Sequence, residues 1–241
     1  VDGIDAAHKI TILASIAFGI PLDFTKVFVQ GIRGIEMQDV GYADSLGFVI
    51  KHIARAAKTE SGVEVRVHPA LLPKEHPLAG VNGVTNAIFV QANAVGPLLL
   101  SGAGAGGDPT ASSVIGDVVD IVRASNGQAN VRVPHLGFVR ESGTNEKVLG
   151  ISEIECANYL RFQISGESEV VTDIRRILSS NEISVQMLDQ RKLADAPRTE
   201  TVIILTRPVL EKAMTNAVDE IGALEDVETS VTRYRLEQLN P

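Results

Sequence analysis

A lysine and an aspartate near the start of the chain have the spacing of a small catalytic or binding pair. Asp5 and Lys9 lie four residues apart in a segment with helical periodicity, so both side chains fall on one face of that helix. A lysine ammonium can donate a proton, and a carboxylate can bind a cationic group of a substrate. The same spacing is more often a solvated ion pair worth about 0.3–0.5 kcal/mol. Spacing alone leaves both interpretations open.

A second candidate feature is the glycine-rich segment 102–107, in which Gly102, Gly104 and Gly107 form a GxGxxG pattern between a predicted strand and a predicted helix. A complete dinucleotide site also needs an acidic residue at the end of the next strand, to hold the ribose. Here that strand ends at residues 133–135 without one. The pattern therefore favours a narrower role: either a close approach of the backbone to a ligand or a tight strand-to-helix turn.

The histidines and the cysteine do not have the spacing of a metal site or of a nucleophile with its base. His68 and His76 are eight residues apart in a proline-rich segment, and we expect a solvated loop there. Cys156 is the only cysteine and has no histidine nearby in sequence, which predicts a buried structural thiol. A single cysteine excludes an intrachain disulfide and favours a reducing cytoplasm.

The first part of the chain must position these residues with a mixture of helices and strands. Helices are predicted at 5–17, 36–46 and 109–124, and strands at 63–67, 84–92, 98–101 and 131–133. Residues 48–58 fit either a helix or a strand. The valines of 63–67 alternate with charged residues, which predicts a half-buried strand. Residues 68–77 contain three prolines and predict a loop, and Asp108 has the position of a helix N-cap.

The second part of the chain has a more regular pattern. Strands are predicted at 159–164, 183–188, 201–206 and 227–234, helices at 170–178 and 208–221, and a long hairpin loop at 189–200. This is the β-α-β-β-α-β order of a ferredoxin-like unit. The polar segment 137–154 predicts a boundary between domains at 1–145 and 155–241. The predicted fold class is α/β, a mixed-sheet domain followed by an α+β ferredoxin-like domain.

Composition narrows the classes of function. The chain has 241 residues and a net charge of −8, and neither half is basic, which argues against nucleic acid as a partner. No apolar run approaches the roughly 18 residues of a membrane span. The chain begins with Val1 and enters a helical pattern at once, so we expect an upstream part to be missing.

Several segments resemble one enzyme family in order and spacing. VDGIDAAHK at residues 1–9 resembles the end of the homoserine dehydrogenase signature. Residues 81–88, 102–106 and 109–117 are similar to further stretches of that family, so the resemblance extends over most of the first 133 residues. Residues 159–162 and 202–206 resemble the ACT regulatory domain that many bacterial members carry.

The resemblance implies a reaction and roles for three residues. The reaction is the NAD(P)-dependent interconversion of L-homoserine and L-aspartate 4-semialdehyde, in threonine and methionine biosynthesis. By resemblance, Lys9 is the catalytic proton donor and acceptor, Asp5 binds homoserine, and Gly104 approaches the NADP or NAD cofactor. It also implies a homo-oligomer, at least a dimer. The family's cofactor domain precedes this segment, so we expect the chain alone to be inactive.

The ACT-like part departs from its family at the turn that admits an effector. Ser168 and Glu169 stand where a Pro-Gly pair is usual, and Glu169 adds an anion where an amino-acid effector brings its own carboxylate. We therefore expect weak or absent feedback by threonine.

Two alternative functions remain for the chain: a non-catalytic amino-acid-binding regulator, and an enzyme with an independent dinucleotide site at 102–107.

Overall fold

The computed structural model describes residues 1–125, 146–165, 169–193 and 196–237. In chain order the elements are α1 (Ile4–Phe18), β1 (Phe28–Val29), α2 (Met37–Ser45), β2 (Phe48–Thr59), β3 (Gly62–Pro73), β4 (Thr85–Ala92), β5 (Gly96–Ala103), α3 (Gly107–Ser125), β6 (Glu155–Ser165), α4 (Glu169–Ser180), β7 (Val185–Leu193), β8 (Ala196–Thr206), β9 (Val209–Leu210), α5 (Glu211–Gly222) and β10 (Thr232–Leu236). The strand expected at 131–133 and the effector turn with Ser168 lie outside the described residues, and nothing is described of the Glu169 side chain.

One mixed sheet of eight strands runs through both parts of the chain. Strand β2 pairs along the whole of β3, and β1 and β10 share the other edge of β3. From β10 the sheet continues through β6 and β8 to β7. The expected fold class, α/β with a mixed sheet, is confirmed. The ambiguous segment 48–58 is a strand, because its partner β3 offers it a full antiparallel edge.

Strand β3 is present as expected, but both of its faces are buried, so the prediction that it is only half buried is wrong. Its valines pack against α1, while Glu64, Arg66 and His68 on the other face are also buried. The loop expected at 68–77 is wrong for its first part, because β3 continues to Pro73, and only residues 74–77 form a turn. Sequence alternation shows that a strand has two faces, but it does not show whether a second layer covers the polar one.

The second part of the chain has the expected β-α-β-β-α-β order, with the short strand β9 added before α5. Strand β6 separates two cores, because its successive side chains point to opposite faces. Leu160, Phe162 and Ile164 pack in one core with residues of α4 and α5, and Tyr159 lies in the other. The hairpin loop expected at 189–200 is wrong over most of its length, because β7 and β8 remain paired as far as Leu193 and Ala196.

Strands β4 and β5 form a separate two-stranded sheet, followed by α3. These strands were expected from the sequence, as was the helix, which begins at Gly107. Asp108 therefore lies in its first turn and not at the N-cap. None of the α3 residues is buried. The exposed large apolar side chains of this region are Val84, Ile88, Val90, Val95, Leu98, Leu99, Leu100, Val114, Ile115, Val118, Val119, Ile121 and Val122. Among the described helices, none is both long and apolar enough to cross a membrane.

Candidate active site

The start of α1 requires a glycine. Gly3 has φ of 84°, a left-handed conformation that favours glycine, and its carbonyl accepts the Ala7 N–H at 2.9 Å. A Cβ on Gly3 would lie 3.1 Å from Val29 and 3.2 Å from the His52 ring. The backbone therefore enters the helix in contact with β1 and β2, which sets the direction of the first turn.

The loop after β1 holds the residues before the helix. The Ile32 N–H donates to the Val1 carbonyl at 2.9 Å, and Gly31 packs so closely on Val1 that a Cβ would lie 2.6 Å from this oxygen. The Arg33 guanidinium donates two hydrogen bonds to Asp2, at 2.7 and 3.0 Å. These contacts hold residues 1–3 against residues 31–33.

Asp5 and Lys9 lie together on the outer face of α1, as their spacing predicts. Lys9 Nζ is 2.6 Å from Asp5 Oδ2, and their side chains are 61% and 82% exposed respectively. Both groups are accessible to a ligand that approaches this face. Ile12 and Ile16, one and two helical turns further along the same face, are also exposed. The outer face of α1 thus presents a charged pair followed by an apolar stripe.

Gly104 lies at the end of the β4–β5 sheet and not on the sheet against which α1 packs. Its N–H donates to the Val84 carbonyl at 2.9 Å, and a Cβ would overlap the Asn86 side chain, with its Nδ2 only 2.0 Å away. Contact with Asn86 is therefore enough to explain a glycine at this position. The positions of Gly102 and Gly107 are open, because a Cβ added to either would have no atom within 4 Å. This turn offers exposed backbone that a flat ligand could approach.

The histidines do not lie where the sequence suggests. His68, expected in a solvated loop, is fully buried in β3, where its Nε2 is 3.4 Å from Glu237 Oε1. His76 is also buried and packs edge-on against Phe89. Burial lowers the pKa of both imidazoles. Within the described ranges, His, Cys, Asp and Glu residues form no group of three or more that could hold a metal ion.

Cys156 is a buried thiol, as expected, but it has a charged partner. Its Sγ donates to Glu211 Oε1 at 2.7 Å. Burial and the neighbouring carboxylate raise the pKa of the thiol to about 12. A thiol held in its neutral form is a poor nucleophile, which excludes it from the candidate chemistry.

A buried ionic cluster between β3 and the end of β10 was not anticipated from the sequence. Glu237 accepts from Arg66 at 2.9 Å and pairs with Arg55 at 3.1 Å. Burial by itself raises the pKa of Glu237, but the nearby His68 imidazole and the two arginine charges outweigh it and lower the pKa to about 2. The only sequence signal was the alternation in β3, which is equally typical of an exposed strand.

A second buried cluster joins α2 to the main sheet. Arg161 donates to both oxygens of Asp39, through Nε and through Nη2, and the Nη2 distance is 3.2 Å. The hydroxyls of Tyr159 and Tyr234 donate to the same carboxylate at 3.3 and 3.2 Å. Asp39 is completely buried, and nothing in its local sequence indicates this.

Comparison with known proteins places these features in one family. The homoserine dehydrogenase family model matches residues 1–119. Homoserine dehydrogenase of Pseudomonas aeruginosa is 46% identical over 240 residues, and that of Neisseria gonorrhoeae is 39% identical over 240 residues. Each alignment covers 100% of this chain and 55% of the relative.

Solved structures agree with this match. The crystal structure of a homoserine dehydrogenase from Thiobacillus denitrificans has a TM-score of 0.92 at 41% identity, over 100% of this chain and 54% of that chain. A homoserine dehydrogenase structure from S. aureus, at 24% identity and a TM-score of 0.66, covers 99% of this chain and 54% of that chain and shows the same fold. The chain spans about half the length of the relatives that it matches.

Proposed function

This chain belongs to the homoserine dehydrogenase family, and we propose that it forms the substrate side of an NAD(P)-dependent enzyme that interconverts L-homoserine and L-aspartate 4-semialdehyde. The observation that carries the proposal is the exposed Asp5–Lys9 pair, 2.6 Å apart on a helix whose start is held in place. By this proposal the enzyme acts in the cytoplasm, in the biosynthesis of threonine and methionine.

The chemistry assigned to the pair follows from its geometry. In the direction of reduction, the Lys9 ammonium donates a proton to the carbonyl oxygen of the semialdehyde; in the reverse direction its neutral amine accepts the hydroxyl proton. Asp5 binds the α-ammonium group of the substrate. Because Asp5 contacts Lys9 directly, the substrate ammonium competes with Lys9 for this carboxylate and frees Nζ for proton transfer.

The glycine-rich segment 102–107 fits one wall of a nicotinamide site. The backbone around Gly104 is exposed, and the open positions at Gly102 and Gly107 leave room for a planar group. When bound, the nicotinamide would donate the hydride to the semialdehyde carbon in the direction of reduction and would accept it in the reverse direction. These residues would hold it from one side only, and we propose that the rest of the cofactor site comes from outside these 241 residues. Preference for NADP or NAD is not assigned to any residue of this chain.

We propose that the working enzyme is a homodimer. The β4–β5 sheet has apolar side chains on both faces: Ile88 and Leu100 are paired on one, and Phe89 and Leu99 on the other. A two-stranded sheet of this kind is marginal in water unless its faces are covered. Exposed apolar patches of this extent mark interaction surfaces.

The second part of the chain is proposed to be an ACT regulatory domain, with the division at 1–145 and 155–241. The β-α-β-β-α-β order and the resemblance of residues 159–162 and 202–206 support this assignment. With Ser168 and Glu169 in the effector turn, we propose that threonine inhibits the enzyme weakly or not at all.

The test is NADP⁺ and NAD⁺ reduction at 340 nm with L-homoserine, in the complete protein that carries this chain. Lys9→Ala should lower kcat by about 100-fold, the range of a lost general acid. Lys74→Ala is the matched control, because Lys74 forms a similar exposed ion pair with Asp44 at 2.7 Å. It should keep full activity. If the unsubstituted protein reduces neither cofactor, the amino-acid-binding regulator becomes the better assignment, and calorimetry with threonine and homoserine would test it.

A further inference from the structure

Gln30, the first residue after β1, is in contact with three separate parts of the fold. Its backbone N–H donates to the Val67 carbonyl in β3 at 2.8 Å. Its own carbonyl is 3.1 Å from His52 Nε2 in β2. Its side-chain Oε1 accepts from Arg235 Nη1 in β10 at 2.9 Å. The backbone contacts belong to the sheet, but the bond to Arg235 depends on the side chain alone.

Arg235 is a rigid donor for this bond. Its Nε and Nη2 donate to the two oxygens of Glu211 at 2.9 and 2.6 Å, which fixes the plane of the guanidinium. The same group lies over the Phe28 ring, 4.8 Å from its centroid. Arg235 is buried, so Nη1 has few other directions in which to point. The C-terminal part of the chain therefore holds Gln30 at a defined place.

Gln30 is followed in the chain by the residues that contact the start of α1. Residues 31–33 hold Val1 and Asp2, and His52, whose Nε2 is 3.1 Å from the Gln30 carbonyl, lies so near Gly3 that a Cβ there would be 3.2 Å from its ring. The contacts thus run without a gap from Glu211 at the start of α5 to the helix that carries the Asp5–Lys9 pair. A shift of this loop would move the pair relative to a bound substrate.

We propose that Gln30 is a positioning residue, which fixes the Asp5–Lys9 pair through its hydrogen bond to Arg235. The part of this inference that concerns homoserine turnover rests on the proposed function. The part that concerns the order of α1 does not. A displacement of about 1 Å at reacting groups can lower a rate by about 100-fold, so a single remote hydrogen bond is sufficient to affect turnover.

Three variants of the complete protein test the proposal by activity. Gln30→Leu removes the acceptor and keeps the shape, and Gln30→Glu keeps an acceptor oxygen for Arg235. Gln190→Leu is the control, because it removes a side-chain hydrogen bond of a glutamine elsewhere in the sheet: Gln190, on β7, donates to Glu200 at 3.2 Å on the exposed surface. We expect Gln30→Leu to lower kcat/KM for homoserine by about 10-fold or more, with the KM of the nicotinamide cofactor unchanged. Gln30→Glu and the control should stay within about twofold. Equal losses in both Gln30 variants would overturn the proposal.

Amide hydrogen exchange tests the same proposal without any activity. The Ala7 N–H makes the first hydrogen bond of α1, to Gly3. Gln30→Leu should speed exchange of the amides of residues 7–10 by about 10-fold relative to Gln190→Leu, because the helix start opens more often. Unchanged exchange would overturn the positioning role. A parent protein that is inactive with homoserine would overturn the proposed function only, and the exchange result would still decide this inference.

Discussion

Charged side chains in this chain form ion pairs of two kinds, and substitution has different costs in each. The Asp5–Lys9 pair is exposed to solvent, where such a pair contributes about 0–1 kcal/mol. Glu237 and Asp39 are buried and hydrogen-bonded, so removing either one leaves buried arginines with less counter-charge than they have now. The residues proposed for the chemistry are therefore different from the charged residues that stabilise the fold.

Lys9 can be changed with little effect on folding. Lys9→Met should alter the free energy of unfolding by no more than about 0.5 kcal/mol, because it loses only one exposed ion pair. Urea unfolding of the two proteins at equal pH measures the difference. A loss of several kcal/mol would contradict the description of Lys9 as a solvent-facing residue.

Glu237 should make stability depend on acidity. The pKa of Glu237 is about 2 in the folded state, against 4.5 for an unperturbed glutamate. The stabilisation that ionised Glu237 gives to the folded state is therefore fully present above pH 4.5 and is lost as the pH falls toward 2. Glu237→Gln should destabilise the protein by about 3 kcal/mol at neutral pH, as for a broken buried pair. The difference in stability between the wild-type protein and Glu237→Gln should become smaller below pH 4.5. Urea midpoints measured from pH 2 to pH 7 give this comparison, and parallel curves would contradict it.

The role of Gly104 can be separated from its packing. Gly104→Ala should force the Asn86 side chain to move, at a cost of about 1 kcal/mol, because the new Cβ overlaps it. The double variant Gly104→Ala with Asn86→Ala should recover the thermal midpoint of the wild-type protein. If Gly104 also approaches the cofactor, the double variant should keep a raised KM for NADP⁺. A double variant with normal stability and normal KM would assign Gly104 to packing alone.

At the scale of elements, α2 shows how a short helix is fixed by one buried group. Its nine residues lie over the sheet, with Asp39 in contact with Arg161, Tyr159 and Tyr234. The carboxylate thus joins an element of the first part of the chain to two strands of the second. Burial of these side chains raises the pKa of both tyrosine hydroxyls, which keeps them as neutral donors.

Asp39→Asn should therefore destabilise the protein strongly. We expect a loss of about 3–5 kcal/mol, because the buried Arg161 guanidinium keeps its charge and loses its buried counter-charge, so that only the exposed Glu36, at 2.8 Å, still pairs with it. Asp173→Asn is the matched control: Asp173 pairs with Arg176 on the surface of α4, and its loss should cost less than about 0.5 kcal/mol. Guanidinium unfolding followed by circular dichroism measures both. Equal effects of the two substitutions would contradict the structural role of Asp39.

At the scale of the whole molecule, the main sheet joins the two parts of the chain through paired strands. Strand β10 pairs with β3 on one side and β6 on the other, and the cluster around Glu237 lies beside this junction. The β4–β5 sheet and α3 extend from this body and expose their apolar side chains. The molecule therefore has a well-packed body and an apolar extension.

That extension predicts association of the 241-residue chain. Sedimentation velocity should show dimers or larger species at micromolar concentration, because water-exposed apolar patches of this size favour contact. Ile88→Glu combined with Leu100→Glu places charges on one face of the sheet, where both side chains are exposed, and should shift the chain toward monomer. Val1→Glu, an exposed position outside this sheet, is the control. A wild-type chain that stays monomeric would contradict the proposed interface.

The sequence by itself was sufficient for most helices, for the order of elements in the second part and for the spacing of the candidate pair. The periodicity of α1 places Asp5 and Lys9 on one face, and the alternating strands and helices of the second part predict its β-α-β-β-α-β order. These features depend on residues near one another in the chain, where helix and strand repeats are sufficient. The signature at residues 1–9 also identified the family.

Only the tertiary structure decided which polar residues are buried. Glu64, Arg66 and His68 alternate with valines like the exposed face of a strand. Glu237, far along the chain, pairs with Arg66 and His68, while Glu64 pairs with Arg55 on the neighbouring strand. The link from Gln30 to Arg235 joins residues 205 positions apart. Such contacts form when separate segments cover one another, and no local pattern records them. For that reason the sequence located the candidate pair, while the fold showed which distant residues contact the start of its helix.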